Sequence, residues 1–420
     1  VFVRGAMNEA WALAWFPLIL WTAYRLIQDT RYEIRWLIGL SLSWFVLLTS
    51  HNLMVLIFMP VFGIWCLIFL LRKRFRQLPF LVGSGILALG SSAFFSLPAI
   101  LEQGYVHVST LVVGYYEYIA HYVTLSQLLF SRFWGYGPSV WGEPDGMPFQ
   151  IGHVHWILSV ILLVFLLVRL KKTKKLDTLS LISFFFLAVG WFSAFMAHSR
   201  STPIWQAVPL LKFVQFPWRF LTLTTLSFSF LVGAAIHFIF KRKLLPFIIL
   251  VSLVLFLNWN YFRPERMGPL TDNEKLSGAA WELQQTAGIF DYLPKSAKEN
   301  PKEPRRELVE FIEGSGEILA KKEGTDWAQV KVKVESESSL IRIGIFDFPI
   351  WGARIDRVKT EINVPESEVW GRMYLRVPKG EHNLSLELKN TPVRSVANTI
   401  SLVTWSAFIA FPLVRRKVLK

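Results

Sequence analysis

The sequence predicts a polytopic α-helical membrane protein of about nine spans, with an all-β sandwich domain placed before the last of them. Three observations predict it. Of the 420 residues, 53% are apolar, with 18 Trp and 35 Phe, a composition typical of the membrane class. The apolar residues gather into runs of the roughly 20 residues that a helix needs to cross a bilayer. Residues 327–390 instead alternate apolar and polar side chains with the period of a strand.

The expected spans are 8–28, 33–50, 53–72, 79–98, 153–170, 176–197, 217–240, 244–262 and 395–414. A net charge of +15 would point to nucleic acid in a soluble chain. Here, however, the turns at 25–35, 72–76, 169–177, 241–243 and 415–420 hold 19 Lys/Arg against three acids, Asp29, Glu33 and Asp177. Residues 263–394 hold 21 basic and 22 acidic residues and nearly balance. The excess therefore sits on alternate turns, which is the positive-inside pattern, and nucleic acid is excluded as a partner. The basic turns are expected in the cytoplasm, and the 98–156 loop and the 263–394 segment outside it. Three regions follow: a transmembrane domain over 1–262, an extracytoplasmic sandwich over 263–394, and a final helix with a basic tail over 395–420. The single cysteine, Cys66, lies in a span and forms no intrachain disulfide. The first residue is Val1 rather than Met, close to a helix start, so an N-terminal part is expected to precede it.

Arg4 and Glu9 open the first span. Each has an ordinary reading, headgroup anchoring for Arg4 and complementing the helix dipole for Glu9, beside a ligand-facing one. Spans two and three meet at Thr49-Ser50-His51-Asn52. Asn52 suits closure of so tight a turn, while His51 either faces a shared outer cavity or is satisfied by water. Span four carries Gly83, Gly85, Gly90, Ser91 and Ser92 for close packing and ends near Glu102, a carboxylate one turn beyond the boundary and the first choice for a functional acid.

The 98–156 loop holds six Tyr, three Trp, four His and four acids, with Arg132 as its only Lys or Arg. Such a loop belongs at a bilayer surface, and loops this long are usually functional. It divides into an interfacial helix over 108–133 and two turn clusters, Gly135-Tyr136-Gly137-Pro138 and Glu143-Pro144-Asp145-Gly146. His153 and His155, with Asp145, His121 and His107, invite a metal reading. Histidines two apart project to different sides of a helix, however, so hydrogen-bonding histidines at the interface are the better reading and no metal ligand is assigned. Residues 203–216 form a second interfacial segment. In Pro217-Trp218-Arg219, Trp and Arg suit membrane anchoring, while Arg also suits a phosphate.

From Arg263 the composition turns soluble, with short helices and loops over 263–325 and five or so strands thereafter: WAQVKVKVES, LIRIGIFDF, ARIDRVKTEI, MYLRVP and HNLSLELKN. No Walker motif, dinucleotide glycine motif or G-x-S-x-G elbow is present.

The pieces VFVRGAMNEA, the TSHN hairpin, FFSLPAILE, YGPSVWG with PFQIGHVHW, FPWRF, FDYLP, FDFPIWGARID and VPKGEHNLSLELKNTPVRSVANTISL span nearly the whole chain in order. In them the sequence resembles the bacterial membrane proteins named 6-pyruvoyl-tetrahydropterin synthase-related and the neighbouring YfhO-type proteins of the GT-C glycosyltransferase superfamily. The zinc-histidine pattern of a true pterin synthase is absent. The resemblance implies a GT-C-like fold in the bacterial cytoplasmic membrane. It further implies an enzyme that takes a sugar from a polyprenyl-phosphate carrier on the outer face and passes it to an envelope glycan or protein acceptor. A divalent metal is left open as a cofactor. Such enzymes place a catalytic Asp or Glu in the first outer loop, upstream of Val1. Glu102 is then the candidate acid of this stretch, with Arg4, Glu9, His51, Asn52, His153, His155 and Arg219 as supporting substrate-binding residues.

Two other functions compete with the enzyme. A lipid-linked sugar transporter needs polar groups near mid-bilayer on broken helices, and charged residues are missing from the span centres. A non-catalytic envelope scaffold or carbohydrate-binding membrane protein is distinguished from the enzyme by the absence of an acid in the first outer loop.

Overall fold

The computed structural model describes residues 6–73, 75–140, 145–241, 243–261, 267–269, 271–279, 281, 290–303 and 305–418. Two compact units emerge, one of Val1–Ser92, Val112–Met267 and Thr404–Lys420, the other of Ala93–Leu111 and Gly268–Val403.

The first unit is helical. Its long helices are α1 (Met7–Gln28), α2 (Glu33–Ser50), α3 (Asn52–Lys73) and α4 (Leu78–Ser91); after α5 (Ala93–Leu101) of the other unit come α6 (Leu125–Leu129), α7 (His153–Thr173), α8 (Thr178–Met196), α9 (Thr202–Ala207), α10 (Leu221–Phe238) and α11 (Leu244–Asn258). Among the described residues seven helices are long and apolar enough to cross a membrane, or eight if one bent pair is counted as a single span. Aromatic rings tie the bundle together: Phe16 of α1 stacks on Phe58 of α3 at 4.1 Å, and the Trp65 indole donates to the Leu20 carbonyl at 2.9 Å while meeting Phe185 of α8. Helices α8 and α10 approach closely at Gly190, where a Cβ would lie 2.5 Å from the Phe228 ring. Asp177 caps α8 by accepting from the Ser180 amide at 2.7 Å.

The expected span 79–98 is not straight: α4 and α5 meet at Ser92 with a bend of 76°. Hydroxyls of Ser91 and Ser92 bond back to the carbonyls of Ala88 and Leu89, and the Trp405 indole takes the Ser91 carbonyl at 3.3 Å. These contacts compete with the helical ladder, a usual cause of a sharp kink. The expected span 395–414 lies on the last helix, Pro392–Val418, and its side chains from 411 on lie outside the described residues. From Thr404 this helix belongs to the helical unit, where Trp405 also meets Phe45 edge-on at 5.0 Å.

The expected interfacial helix over 108–133 is replaced by short 3-10 turns at Val108–Val112, Gly114–Tyr116 and Tyr118–His121, and by α6. Gly114 at φ 60 breaks the run, and β-branched Val112 and Val113 disfavour a helix there. Glu143 and Pro144 of the second turn cluster lie outside the described residues, and Gly146 of that cluster clasps the first: the Gly137 amide donates to the Gly146 carbonyl at 2.7 Å, and the Gly146 amide to the Pro138 carbonyl at 3.2 Å. A Cβ on Gly146 would fall 2.3 Å from the Pro138 oxygen, so that position requires glycine.

The second unit is built on one antiparallel sheet of β1 (Val309–Glu313), β2 (Gly316–Glu323), β3 (Trp327–Phe346), β4 (Trp351–Ile355), β5 (Val358–Thr360) and β6 (Arg372–Leu388). The strand order is β1-β3-β6-β4-β5, with β2 also paired to β3. The expected small sandwich takes the form of one hydrogen-bonded sheet whose long strands change face midway. In β3 the core residues are Val330, Val332 and Val334 before the irregularity and Ile341 and Ile343 after it; in β6 they are Met373, Leu375 and Val377, then Leu384 and Leu386. Both changes fall where Val334 pairs with Gly380 and Ser338 with Pro378, at Gly380 with φ 127. This bulge lets both halves of the sheet share one core. What reads as two strands, WAQVKVKVES and LIRIGIFDF, is thus one, and MYLRVP and HNLSLELKN likewise make β6. The segment ARIDRVKTEI is the β4–β5 hairpin, turning at Asp356 and Arg357 with φ 49 and 73; the Asp356 carboxylate accepts from the Asn383 amide at 2.8 Å. Strands β1 and β2 lie in the stretch expected to hold only helices and loops.

Candidate functional site

Three separate parts of the helical unit bring ionisable side chains together. Glu9 sits in the first turn of α1, where the helix dipole favours a carboxylate. His51 is the lone residue between α2 and α3; its amide donates to Leu47 and its carbonyl accepts from Met54 and Val55, so it ends one helix and starts the next. Arg219 lies in the 3-10 turn Pro217–Phe220 leading into α10. The Arg219 Nε donates to Glu9 Oε1 at 2.9 Å, and His51 Nε2 stands 3.7 Å from the same oxygen. The Glu9 side chain is 4% exposed and that of Arg219 11%.

The backbone before Arg219 is strained. Gln215 has φ 64 and ψ −49, and the Phe216 amide donates to the Val214 carbonyl at 2.7 Å. Together these make a γ-turn of the rare, strained hand. Phe216, preceding Pro217, is held extended. Arg219 Nη1 pins the turn by donating to the Val214 carbonyl at 2.7 Å and to Gln215 Oε1 at 2.9 Å, and its guanidinium lies over the Phe216 ring at 4.8 Å.

The loop packs against this same segment. Phe216 stacks on Trp218 at 4.9 Å and meets His121 edge-on at 4.5 Å. An indole N–H can only donate and a peptide carbonyl can only accept, which fixes the two ends of a four-membered chain, and a neutral imidazole fixes its middle link. Trp218 Nε1 donates to Ser139 Oγ at 3.1 Å, the Ser139 hydroxyl donates to His121 Nδ1 at 3.1 Å, and His121 Nε2 donates to the Tyr115 carbonyl at 2.5 Å. Burial pushes the His121 imidazole below its ordinary value of 6.5, which favours the neutral form and so makes the Ser139 hydroxyl the donor to Nδ1. Asp145, 6% exposed, accepts from the amides of Val140 and Met147; burial raises its carboxyl above the usual range.

Of the residues singled out in the sequence, Glu9, His51 and Arg219 therefore converge. Asn52 is exposed at the first position of α3. His153 and His155 occupy the first turn of α7, and among the described residues neither joins an ion pair. Glu102 belongs to the second unit, where its carboxylate accepts from Arg394 Nε at 2.8 Å and from the Thr391 hydroxyl. It and Arg219 thus have separate partners. Arg4 lies outside the described residues. The histidines of the metal reading are dispersed: His107 stacks on Phe290 at 4.2 Å in the second unit, and among the described residues no three of His, Cys, Asp and Glu gather as a metal-binding group. The Gln215 turn and the Ser139 relay carry no motif in the sequence; the Gln-Phe-Pro step is the local signal for the turn.

No family model matches the sequence, and no curated protein or solved structure matches it either.

Proposed function

We propose that this chain is a membrane glycosyltransferase-like protein of the bacterial cytoplasmic membrane, moving a sugar from a polyprenyl-phosphate carrier to an envelope acceptor on the outer face. In this reading the basic turns face the cytoplasm, and the 98–156 loop and the β unit face outward. The contact between Arg72 Nη2 and the Leu176 carbonyl at 2.9 Å supports the shared side of two of those turns.

The observation that carries the reading is the buried Glu9–His51–Arg219 cluster on a strained turn. A buried ion pair adds little net stability compared with an apolar core, and strained backbone persists where its surroundings over-determine it, most often at functional sites. Such a cluster beside an aromatic surface loop suits recognition of a phosphate on a lipid carrier. Arg219 supplies the cation that draws the phosphate to the cluster, while Glu9, Val214 and Gln215 fix its orientation. Glu9, neutralised by Arg219, anchors the guanidinium and is not the base. His51 hydrogen-bonds a phosphate or hydroxyl oxygen. In transfer, the acceptor hydroxyl oxygen bonds the anomeric carbon and the carbon–oxygen bond to phosphate breaks. The carrier phosphate leaves with that electron pair, and the acceptor proton passes to a base outside this cluster.

The test is turnover of a polyprenyl-phosphate-linked sugar by the full-length protein in nanodiscs, comparing wild type with Glu9→Gln, His51→Ala and Arg219→Gln at equal folded amounts. Loss of a preorganised charge contact lowers the rate about 10²–10³-fold. Wild-type turnover in all three variants would remove the cluster from the site.

A further inference from the structure

The β unit holds a cavity of about 370 Å³, within the roughly 300–1,000 Å³ of ligand clefts. Its lining residues include Trp281, Phe346 and Trp370 together with Arg305, Arg342 and Arg372. Each of these arginines is already matched to a carboxylate. Arg305 makes a two-pronged pair with Glu323 at 2.8 and 2.6 Å, lying flat where Gly344 leaves room: a Cβ there would sit 2.6 Å from Arg305 Cδ. Arg342 pairs with Glu310. Arg372 donates from Nε and Nη2 to Glu368 at 3.1 and 3.0 Å and lies over the Trp370 ring at 4.5 Å. Glu368, 3% exposed, also accepts from the Trp370 amide at 2.8 Å and the Tyr374 hydroxyl at 2.6 Å, which makes this wall rigid.

We infer that this cavity binds a neutral sugar residue of a glycan, its ring stacked on an indole and its hydroxyls hydrogen-bonded to the paired guanidinium and carboxylate groups. A free anion would have to compete with carboxylates already in place. A neutral polyol uses the donors and the acceptors together and leaves every ion pair intact. The inference does not rest on the transfer reaction, because binding is read without turnover.

The experiment is saturation-transfer NMR and titration with chitotriose and maltotriose on the full chain in detergent micelles, with inorganic phosphate and glucose 6-phosphate as anionic probes. At least one neutral oligosaccharide is expected to receive saturation and to outbind both anions. Trp370→Ala and, separately, Trp281→Ala should weaken it about tenfold, the worth of one lost aromatic contact. The thermal unfolding midpoint of each variant shows whether the β unit is intact, and Trp281→Ala serves should Trp370→Ala fail to fold. Absence of transfer to both oligosaccharides would overturn the inference, as would tighter binding of the anions or wild-type affinity in a folded Trp281→Ala.

Discussion

The pair Glu9–Arg219 should behave as one energetic unit, and a double-mutant cycle reads this directly. With side chains 4% and 11% exposed, solvent screens the pair little. Removing one partner strands the other charge, a cost of about 3–5 kcal/mol. The two single variants should differ. Glu9→Gln leaves Arg219 its contacts to the Val214 carbonyl and Gln215 Oε1, so its cost should be about 3 kcal/mol, at the low end of the range. Arg219→Gln strands Glu9 and releases the clamp on the strained turn as well, which puts it near the upper end, about 5 kcal/mol. In Glu9→Gln/Arg219→Gln no buried charge is left, so the double variant should cost less than the two singles together, by about 2–3 kcal/mol. The assay is thermal and denaturant unfolding of the purified chain in detergent for all four proteins. Additivity to within about 0.5 kcal/mol would refute the reasoning, because independent sites add to that tolerance.

At the γ-turn, Gln215→Gly should destabilise less than Gln215→Ala by about 1 kcal/mol in the same unfolding assay, since both lose the side-chain acceptor and only glycine adopts φ 64 without strain. His121, held neutral by burial, binds its proton more readily in the unfolded chain, so its contribution is present above pH 6.5 and is lost as pH falls below it; tryptophan fluorescence of the loop over a pH series should show the change, and His121→Gln should abolish it. Glu368→Gln should cost the β unit about 3 kcal/mol by stranding Arg372. Burial opposes the Glu368 carboxylate, but Arg372, Tyr374 and the Trp370 amide hold its carboxyl below the usual 4.5; its stabilisation is therefore present above that value and lost as pH falls through the lowered one, which acid titration of unfolding checks. With Cys66 removed, a cysteine at exposed Thr173 should resist a membrane-impermeant reagent added to intact cells, while one at exposed Ser338 should react; labelling at 173 would invert the proposed topology.

Much of the architecture is legible along the chain because its signals are local. Among the described residues apolar runs of spanning length mark seven helices, the Thr49–Asn52 hairpin falls where expected, and the alternation over 327–390 marks strands. The departures are local competitions decided by distant groups. Ser91 reads as a small packing residue inside a span until the Trp405 indole, 314 positions away, takes its carbonyl at the kink. The break between WAQVKVKVES and LIRIGIFDF looks like a turn, yet it is a bulge held open by Gly380 on the neighbouring strand.

Which segments can be helices or strands, and where the positive charge lies, follow from the residues alone, since hydropathy, periodicity and turn chemistry act over a few neighbouring residues. Which residues meet is set by the packed fold. Glu9 and Arg219 are 210 positions apart, and Glu102 finds Arg394 across 292; no spacing rule links residues so distant. The Gln215 turn is unfavourable for its own sequence and exists because Arg219 and the packing of Phe216 impose it. Charges buried in a bundle must find partners wherever packing brings them, and packing depends on the whole chain at once.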